Sequence, residues 1–253
     1  MSIKVAVSGV FGKMGQEVVK AVEAEEDLEL VGMVDVKEFP EDLKSHAVTG
    51  KDLSVVLKDS KAEVMVDFTQ PDTVMKNIET AIVNGVSPVV GTTGLSKEDL
   101  DRIHILSEKH NVGVIIAPNF ALGAILMMHY AAKIAKYMPH VEIIELHHNK
   151  KLDAPSGTAI KTAQLIAEQR DNLSLKEENS ARGDLYNGIN VHSIRLPGLV
   201  AHQEVIFGGQ GQTLTIRHDT TSREAFMPGV IMAIREAKNV KGVIYGLENL
   251  LDL

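Results

Sequence analysis

The run from Ile3 to Gly15 constrains the fold more than any other stretch of this 253-residue chain. Residues 3 to 8, Ile-Lys-Val-Ala-Val-Ser, read as a short strand that ends at Gly9-Val10-Phe11-Gly12-Lys13-Met14-Gly15. Met14, Val18 and Val22 then recur at helical spacing, and Leu30 to Val34 form a second apolar run that stops at Asp35. Strand, glycine turn, helix and strand make one βαβ unit. The glycines stand at relative positions 1, 4 and 7, a variant of the usual dinucleotide fingerprint, but the physics is the same. One glycine ends the strand tightly, another lets backbone N–H groups reach a pyrophosphate at the helix start, and the third lets helix pack on sheet. Asp35, at the end of the second strand, is placed to accept hydrogen bonds from adenosine ribose hydroxyls. The bland alternatives are a tight structural turn and a strand-end turn residue.

The same alternation continues. Strands are expected at Glu63 to Phe68, Ser87 to Val90 and Val112 to Ala117, with helices from about Asp72 to Asn84 and Ser96 to His110. Continuous Val/Ile-rich strands between helices predict an α/β fold with a parallel sheet covered on both faces. Near residue 120 the pattern changes. Leu122 to Met138 is apolar nearly all round, predicting a helix buried on more than one side. A strand at Val141 to His148, a helix at Thr158 to Gln169 and strands at Ile189 to Arg195, Gln203 to Phe207 and Gln212 to Asp219 then predict a mixed α+β region. Residues 170–188 read as a mobile loop, and a helix from about Arg223 to Lys238 with the tail Tyr245 to Leu253 closes the chain.

Composition removes several function classes. Hydrophobic residues at 44% and charged residues at 24% support a folded core, and no apolar run reaches the ~18 residues needed to span a bilayer. A formal charge of −8 disfavours nucleic acid and anionic lipid as partners. The absence of cysteine excludes disulfides, thiolate metal sites and a cysteine nucleophile, and the start MSIKVAVSG lacks the apolar core of a signal peptide, so a cytoplasmic location is expected.

Three later turns fall at the carboxyl ends of predicted strands, where ligands bind in open α/β sheets. They are Asp67-Phe68-Thr69, Gly91-Thr92-Thr93-Gly94 and Ala117-Pro118-Asn119-Phe120. Thr hydroxyls and glycine backbone suit ribose and amide contacts, and the Asn119 side chain suits a nicotinamide carboxamide. Each could be a plain loop; their shared edge strengthens all of them. NADH, NADPH or both are therefore the expected cofactors. Asp35 repels a 2′-phosphate and leans toward NAD, while Lys37 could tolerate the phosphate.

The densest chemistry lies in Glu145-Leu146-His147-His148-Asn149-Lys150-Lys151-Leu152-Asp153-Ala154-Pro155-Ser156-Gly157-Thr158-Ala159. Two histidines leave a strand, and neighbouring strand residues face opposite sides, so they need not share a task. Ser156, Gly157 and Thr158 open a helix, whose N–H groups and hydroxyls suit a carboxylate or phosphate. Lys151 adds a positive charge that can hold an anion or donate a proton. A surface histidine pair and an ordinary N-cap are the competing structural readings. A metal is not expected, since adjacent histidines diverge and no suitably spaced third ligand stands out. An anion-holding helix start beside a histidine and a lysine points to a small anionic substrate handled by proton transfer, which complements hydride chemistry.

The segment Glu145 to Ala159 closely resembles the signature of the 4-hydroxy-tetrahydrodipicolinate (dihydrodipicolinate) reductase family of the diaminopimelate route to lysine. Val66-Asp67-Phe68-Thr69, Gly91 to Gly94, Ala117 to Phe120 and Arg223-Glu224-Ala225-Phe226 add to it. The resemblance implies a Rossmann domain of residues 1–121 completed by about 223–253, and a substrate and tetramerisation domain of about 122–222. It implies His147 as general acid/base, Lys151 as proton donor, and His148 with Ser156, Gly157 and Thr158 as holders of a dicarboxylate substrate. It places the cofactor on Gly9 to Met14, Asp35, Phe68, Thr69, Gly91 to Thr93 and Ala117 to Phe120. Many relatives carry Arg at the position of Lys13, and some carry Arg at those of Val36 and Gln70, so the grip on a 2′-phosphate is weakened here. Other two-domain Rossmann dehydrogenases and a non-catalytic NAD(P) sensor are the rival readings, and the roles of His192, His202 and His218 are left open.

Overall fold

Burial of both faces of the Val/Ile runs settles how the first strands pair. The computed structural model describes residues 2–41, 43, 47–170 and 180–253. Along the chain run β1 (Ile3–Ser8), α1 (Lys13–Glu23), β2 (Leu28–Val34), β3 (Val48–Gly50), α2 (Leu53–Ser60), β4 (Val64–Asp67), α3 (Pro71–Val83), β5 (Ser87–Val90), α4 (Lys97–His110) and β6 (Val114–Ile116). Then come α5 (Leu122–Ala135), β7 (His140–His147), α6 (Gly157–Ala167), β8 (Asp184–Tyr186), β9 (Ile189–Arg195), β10 (Ala201–Gly209), β11 (Gln212–Thr220), α7 (Met227–Glu236) and β12 (Val243–Tyr245). The chain divides into two compact units, Met1–Ala121 with Phe226–Leu253, and Leu122–Ala225.

The first unit is a parallel sheet in the order β12-β6-β5-β4-β1-β2-β3. From β1 the chain builds outward through β2 and β3 on one side and through β4, β5 and β6 on the other. That reversal is the topological switch point of a Rossmann-type sheet, and it opens a crevice at the strands' carboxyl ends. Val18 and Val22 of α1 are fully buried, each stabilising the unit by about 1.5–3 kcal/mol. α4 starts with a capping box, in which Ser96 Oγ accepts from Asp99 N at 3.1 Å and Asp99 Oδ2 accepts from Ser96 N at 2.9 Å.

Two elements of this unit arise where none was expected, between Val36 and Ala62. β3 adds an edge beside β2, and α2 buries Leu53, Val56 and Leu57 behind an Asp52 cap that accepts from Val55 N at 3.2 Å. β12 is a third addition, in parallel register with β6. The expected helix from Arg223 begins instead as a 3₁₀ turn, Arg223–Phe226, with α7 starting at Met227 beside Pro228, a residue that favours the first helical turn.

The second unit is a mixed sheet in the order β11-β10-β7-β9-β8, with β7 and β9 parallel and the other pairs antiparallel. Val141, Ile143 and Glu145 alternate along the buried face of β7, which puts His147 on the same side. α5 buries Ala124, Ile125, Met127, Met128, Ala131 and Ala135, leaving Leu126 and Tyr130 exposed. It ends three residues before the expected Met138. The expected loop at 170–188 needs correcting. Its residues 171–179 lie outside the described residues, but Ser180–Arg182 form a 3₁₀ turn and β8 follows. β8 pairs with β9 across Asn187-Gly188, both at positive φ, the two-residue hairpin that an Asn-Gly pair favours.

Candidate active site

In the first unit the glycine turn closes directly over the end of β1. Gly9 has φ +87°, and a Cβ there would lie 2.6 Å from the Phe68 carbonyl oxygen. At Gly15 an added Cβ would meet the Gly9 carbonyl oxygen at 2.0 Å, so α1 can seat against the turn only without a side chain. Gly12 caps α1 without a side-chain bond over its first N–H groups, which leaves room for a phosphate. Val10 is buried, so among the turn residues its backbone is what a ligand would meet.

Asp35 is held twice. Its Oδ2 accepts from Phe11 N at 2.9 Å and its Oδ1 from Lys37 N at 3.1 Å, so it straps the glycine turn to the end of β2. Each carboxylate oxygen retains a lone pair for a ribose hydroxyl. Asp67 is fully buried at the end of β4. Its Oδ1 accepts from Thr69 N at 3.1 Å, Thr69 Oγ1 at 2.8 Å and Thr92 Oγ1 at 2.7 Å, and its Oδ2 from Asn77 Nδ2 at 2.8 Å. This ring of neutral donors locks the Phe68-Thr69 turn to the Gly91-Thr93 turn. Phe68 lies over Gly91 and tilts against Phe120, ring centroids 5.8 Å apart, while Asn119 Oδ1 accepts from Ala121 N at 2.9 Å and leaves its NH₂ for another partner. Gly9 to Met14, Asp35, Phe68, Thr69, Gly91 to Thr93 and Ala117 to Phe120 thus lie along one edge of the sheet.

In the second unit the organising group is Glu145, fully buried on β7. Its Oε2 accepts from His147 Nδ1 at 2.5 Å and Arg195 Nη1 at 2.8 Å, and its Oε1 from Arg195 Nη2 at 2.7 Å and Ser156 N at 3.2 Å. Burial pushes this carboxyl upward, but the hydrogen bonds from His147, Arg195 and Ser193 outweigh it and hold it at about 2. Ser156 Oγ caps α6 by accepting from Ala159 N at 3.2 Å, so the ordinary N-cap reading of Ser156 holds alongside any ligand role. The first-turn N–H groups of Gly157 and Thr158 make none of the described hydrogen bonds.

Lys151 extends its ammonium to both oxygens of Asp153, at 2.8 and 2.7 Å, and its N–H donates to the His148 carbonyl at 3.1 Å. That ion pair is the main reason the Asp153 carboxyl sits below its ordinary value. Arg195 Nη2 also donates to the Asp153 carbonyl at 2.7 Å. His147, Ser156, Lys151 and Asp153 are therefore linked through Glu145 and Arg195, two residues to which sequence reasoning assigned no site role. Glu145 carried a usable signal, since it sits two residues before His147 on one strand face. Arg195 carried none, being fifty residues away.

Two profiles of one family match the chain, "Dihydrodipicolinate reductase, N-terminus" over residues 3–120 and "Dihydrodipicolinate reductase, C-terminus" over 123–251. The chain belongs to the dihydrodipicolinate reductase family. The 4-hydroxy-tetrahydrodipicolinate reductase of Moorella thermoacetica is 53% identical over 99% of this chain and 98% of its own length. That of Desulfitobacterium hafniense is 50% identical over 99% of both. Among solved structures, a dipicolinate-bound dihydrodipicolinate reductase from Paenisporosarcina sp. TG-14 superposes with a TM-score of 0.91 at 45% identity, covering 99% of this chain and 100% of that one.

Of the three histidines whose roles the sequence leaves open, His192 and His202 meet carboxylates. His192 Nε2 meets Glu142 Oε2 at 2.9 Å and His202 Nδ1 meets Asp219 Oδ1 at 2.7 Å. His218 packs where a Cβ on Gly123 would stand, and burial lowers its basicity. Among the described residues no group of three His, Cys, Asp or Glu is placed to hold a metal, and no helix is long and apolar enough to cross a membrane.

Proposed function

We propose that this chain catalyses the NAD(P)H-dependent reduction of 4-hydroxy-tetrahydrodipicolinate to tetrahydrodipicolinate, a step toward diaminopimelate and lysine. The reading is carried by one juxtaposition. A carboxylate-held imidazole, His147, shares Glu145 with the start of a helix whose Gly157 and Thr158 N–H groups suit a substrate carboxylate. The dipicolinate bound to the Paenisporosarcina relative, a ring dicarboxylate, fits that chemistry.

The first unit would hold the cofactor. Gly9, Gly12 and Gly15 fit a pyrophosphate, because a Cβ at Gly9 or Gly15 would strike backbone and none of the three obstructs the helix start. Asp35, Thr69, Gly91 to Thr93 and Asn119 offer ribose and carboxamide contacts. When bound, the nicotinamide supplies a hydride to the substrate ring. The net reaction takes up that hydride and one proton and releases one water. His147 handles the ring proton through Nε2. Lys151 donates toward the departing ring hydroxyl, and His148 with Ser156, Gly157 and Thr158 holds the carboxylates.

Asp35 is fixed at the end of β2 by two backbone N–H groups, and Val36 and Gln70 offer no cation to a 2′-phosphate. NADH is therefore expected to serve at least comparably to NADPH. A kcat/KM more than about tenfold in favour of NADPH, or ~1.4 kcal/mol, would overturn that preference. The same reading makes the chain a cytoplasmic homotetramer, which sedimentation equilibrium and cell fractionation check.

The decisive assay follows loss of reduced-nicotinamide absorbance with substrate formed in situ from pyruvate and aspartate semialdehyde. His147→Gln is expected to lower kcat by about 10²- to 10³-fold with cofactor affinity unchanged. Full turnover in that variant would end the assignment.

A further inference from the structure

We propose that Glu145 and Arg195 form a positioning unit that sets which nitrogen of His147 faces the substrate and fastens the Lys151 loop beside it. The inference rests on the acid/base reading of His147 and extends it to two residues that touch neither cofactor nor substrate in that reading.

The geometry leaves Glu145 few alternatives. It is fully buried, and its two oxygens accept from His147, Ser156 N and Ser193 as well as twice from the guanidinium fork of Arg195. A carboxylate in bidentate contact with arginine stays ionised and can only accept. Nδ1 of His147 must then carry a proton, and a neutral ring presents a bare Nε2. On gaining a proton the ring becomes a donor at Nε2 while Nδ1 keeps the same bond. One strand thus presents an imidazole whose outward nitrogen alone changes state.

Arg195 does more than neutralise Glu145. It stands directly opposite His147 in the β7–β9 register, and its Nη2 also donates to the Asp153 carbonyl at 2.7 Å. Asp153 in turn holds the Lys151 ammonium through both oxygens. A chain of contacts runs from His147 through Glu145, Arg195 and Asp153 to Lys151, fixing two proton-handling groups that lie four residues apart on either side of a bend. The charged groups joined to His147 directly or through that chain are Glu145 on its own strand, Arg195 from β9, and Lys151 and Asp153 in the following loop; Ala201, opposite it on β10, carries no charge.

A structural ion pair would stabilise the unit without governing protonation, and the tests separate the two. Nitrogen-15 NMR of the full chain labelled at histidine should show neutral His147 protonated on Nδ1. The opposite tautomer, or a ring averaging between both, overturns the proposal, and this readout needs no variant to fold. In kinetics, Glu145→Gln should lower kcat about 100-fold with cofactor KM unchanged. It should also change the shape of the kcat–pH profile, which a purely structural ion pair would leave in place. Arg195→Lys, which keeps the charge but not the fork, should retain more kcat than Arg195→Met. If His147→Gln loses turnover while Glu145→Gln keeps both kcat and profile, the positioning role fails and the acid/base role stands. If His147→Gln keeps full turnover, both fail.

Discussion

Asp67 and Glu145 are both fully buried carboxylates at or near the ends of strands, yet they are satisfied in opposite ways. Asp67 in the first unit is ringed by hydroxyl, amide and backbone donors from Thr69, Thr92 and Asn77. Glu145 in the second unit is met by a guanidinium fork and an imidazole. The first arrangement builds shape, tying two turns into one ledge without placing a mobile charge there. The second couples shape to protonation, since one of its partners can gain or lose a proton. A buried carboxylate thus serves as scaffold or as electrostatic control according to its donors.

The largest test of that contrast is stability. Glu145→Ala would leave Arg195 partly buried without its counter-ion, at a cost of about 3–5 kcal/mol. Asp67→Asn, whose hydroxyl partners can rotate to donate or accept, should cost about 1–3 kcal/mol. Equal shifts in denaturant midpoint would erase the distinction. Next is pH. The Glu145 carboxyl lies near 2 in the folded chain against an ordinary value of 4.5, a difference of ~3 kcal/mol. Because the folded value is depressed, this stability is fully present above the ordinary value and is lost as pH falls through that window. Unfolding measured down an acid series should show the loss, and Glu145→Gln should flatten it. The smallest effect compares the two serine caps, Ser96 and Ser156. Replacing either by Ala should cost about 1 kcal/mol, but only Ser156→Ala should raise KM for the dicarboxylate. An equal rise with Ser96→Ala would remove Ser156 from the binding site.

What could be read from the sequence followed from locality. The β1, glycine turn and α1 run, the Ser96 cap and the Ser156 helix start all rest on neighbours within a few residues, and period and punctuation expose them. α2 was missed although Asp52, Leu53, Val56 and Leu57 carry a cap and an i, i+3, i+4 apolar set, because the segment around them is polar. β3, β8 and β12 are three residues each, too short to show a period. Asn187-Gly188 was a legible hairpin signal inside a segment read as loop. In the candidate site, His147, Lys151 and Ser156 were visible as chemistry, whereas the fastening of one to another was not. Glu145 meets Arg195 across fifty positions, and Asp67 meets Thr92 across twenty-five.

The return of the C-terminal segment to the first sheet has a consequence for synthesis. β12 pairs with β6, and Leu247 just beyond it is fully buried, while the whole of the second unit is encoded between β6 and β12. A ribosome therefore delivers every strand of the second sheet before the last strand of the first. The unit whose residues come first from the exit tunnel is the one that must wait longest to be finished, with an edge of β6 open until then.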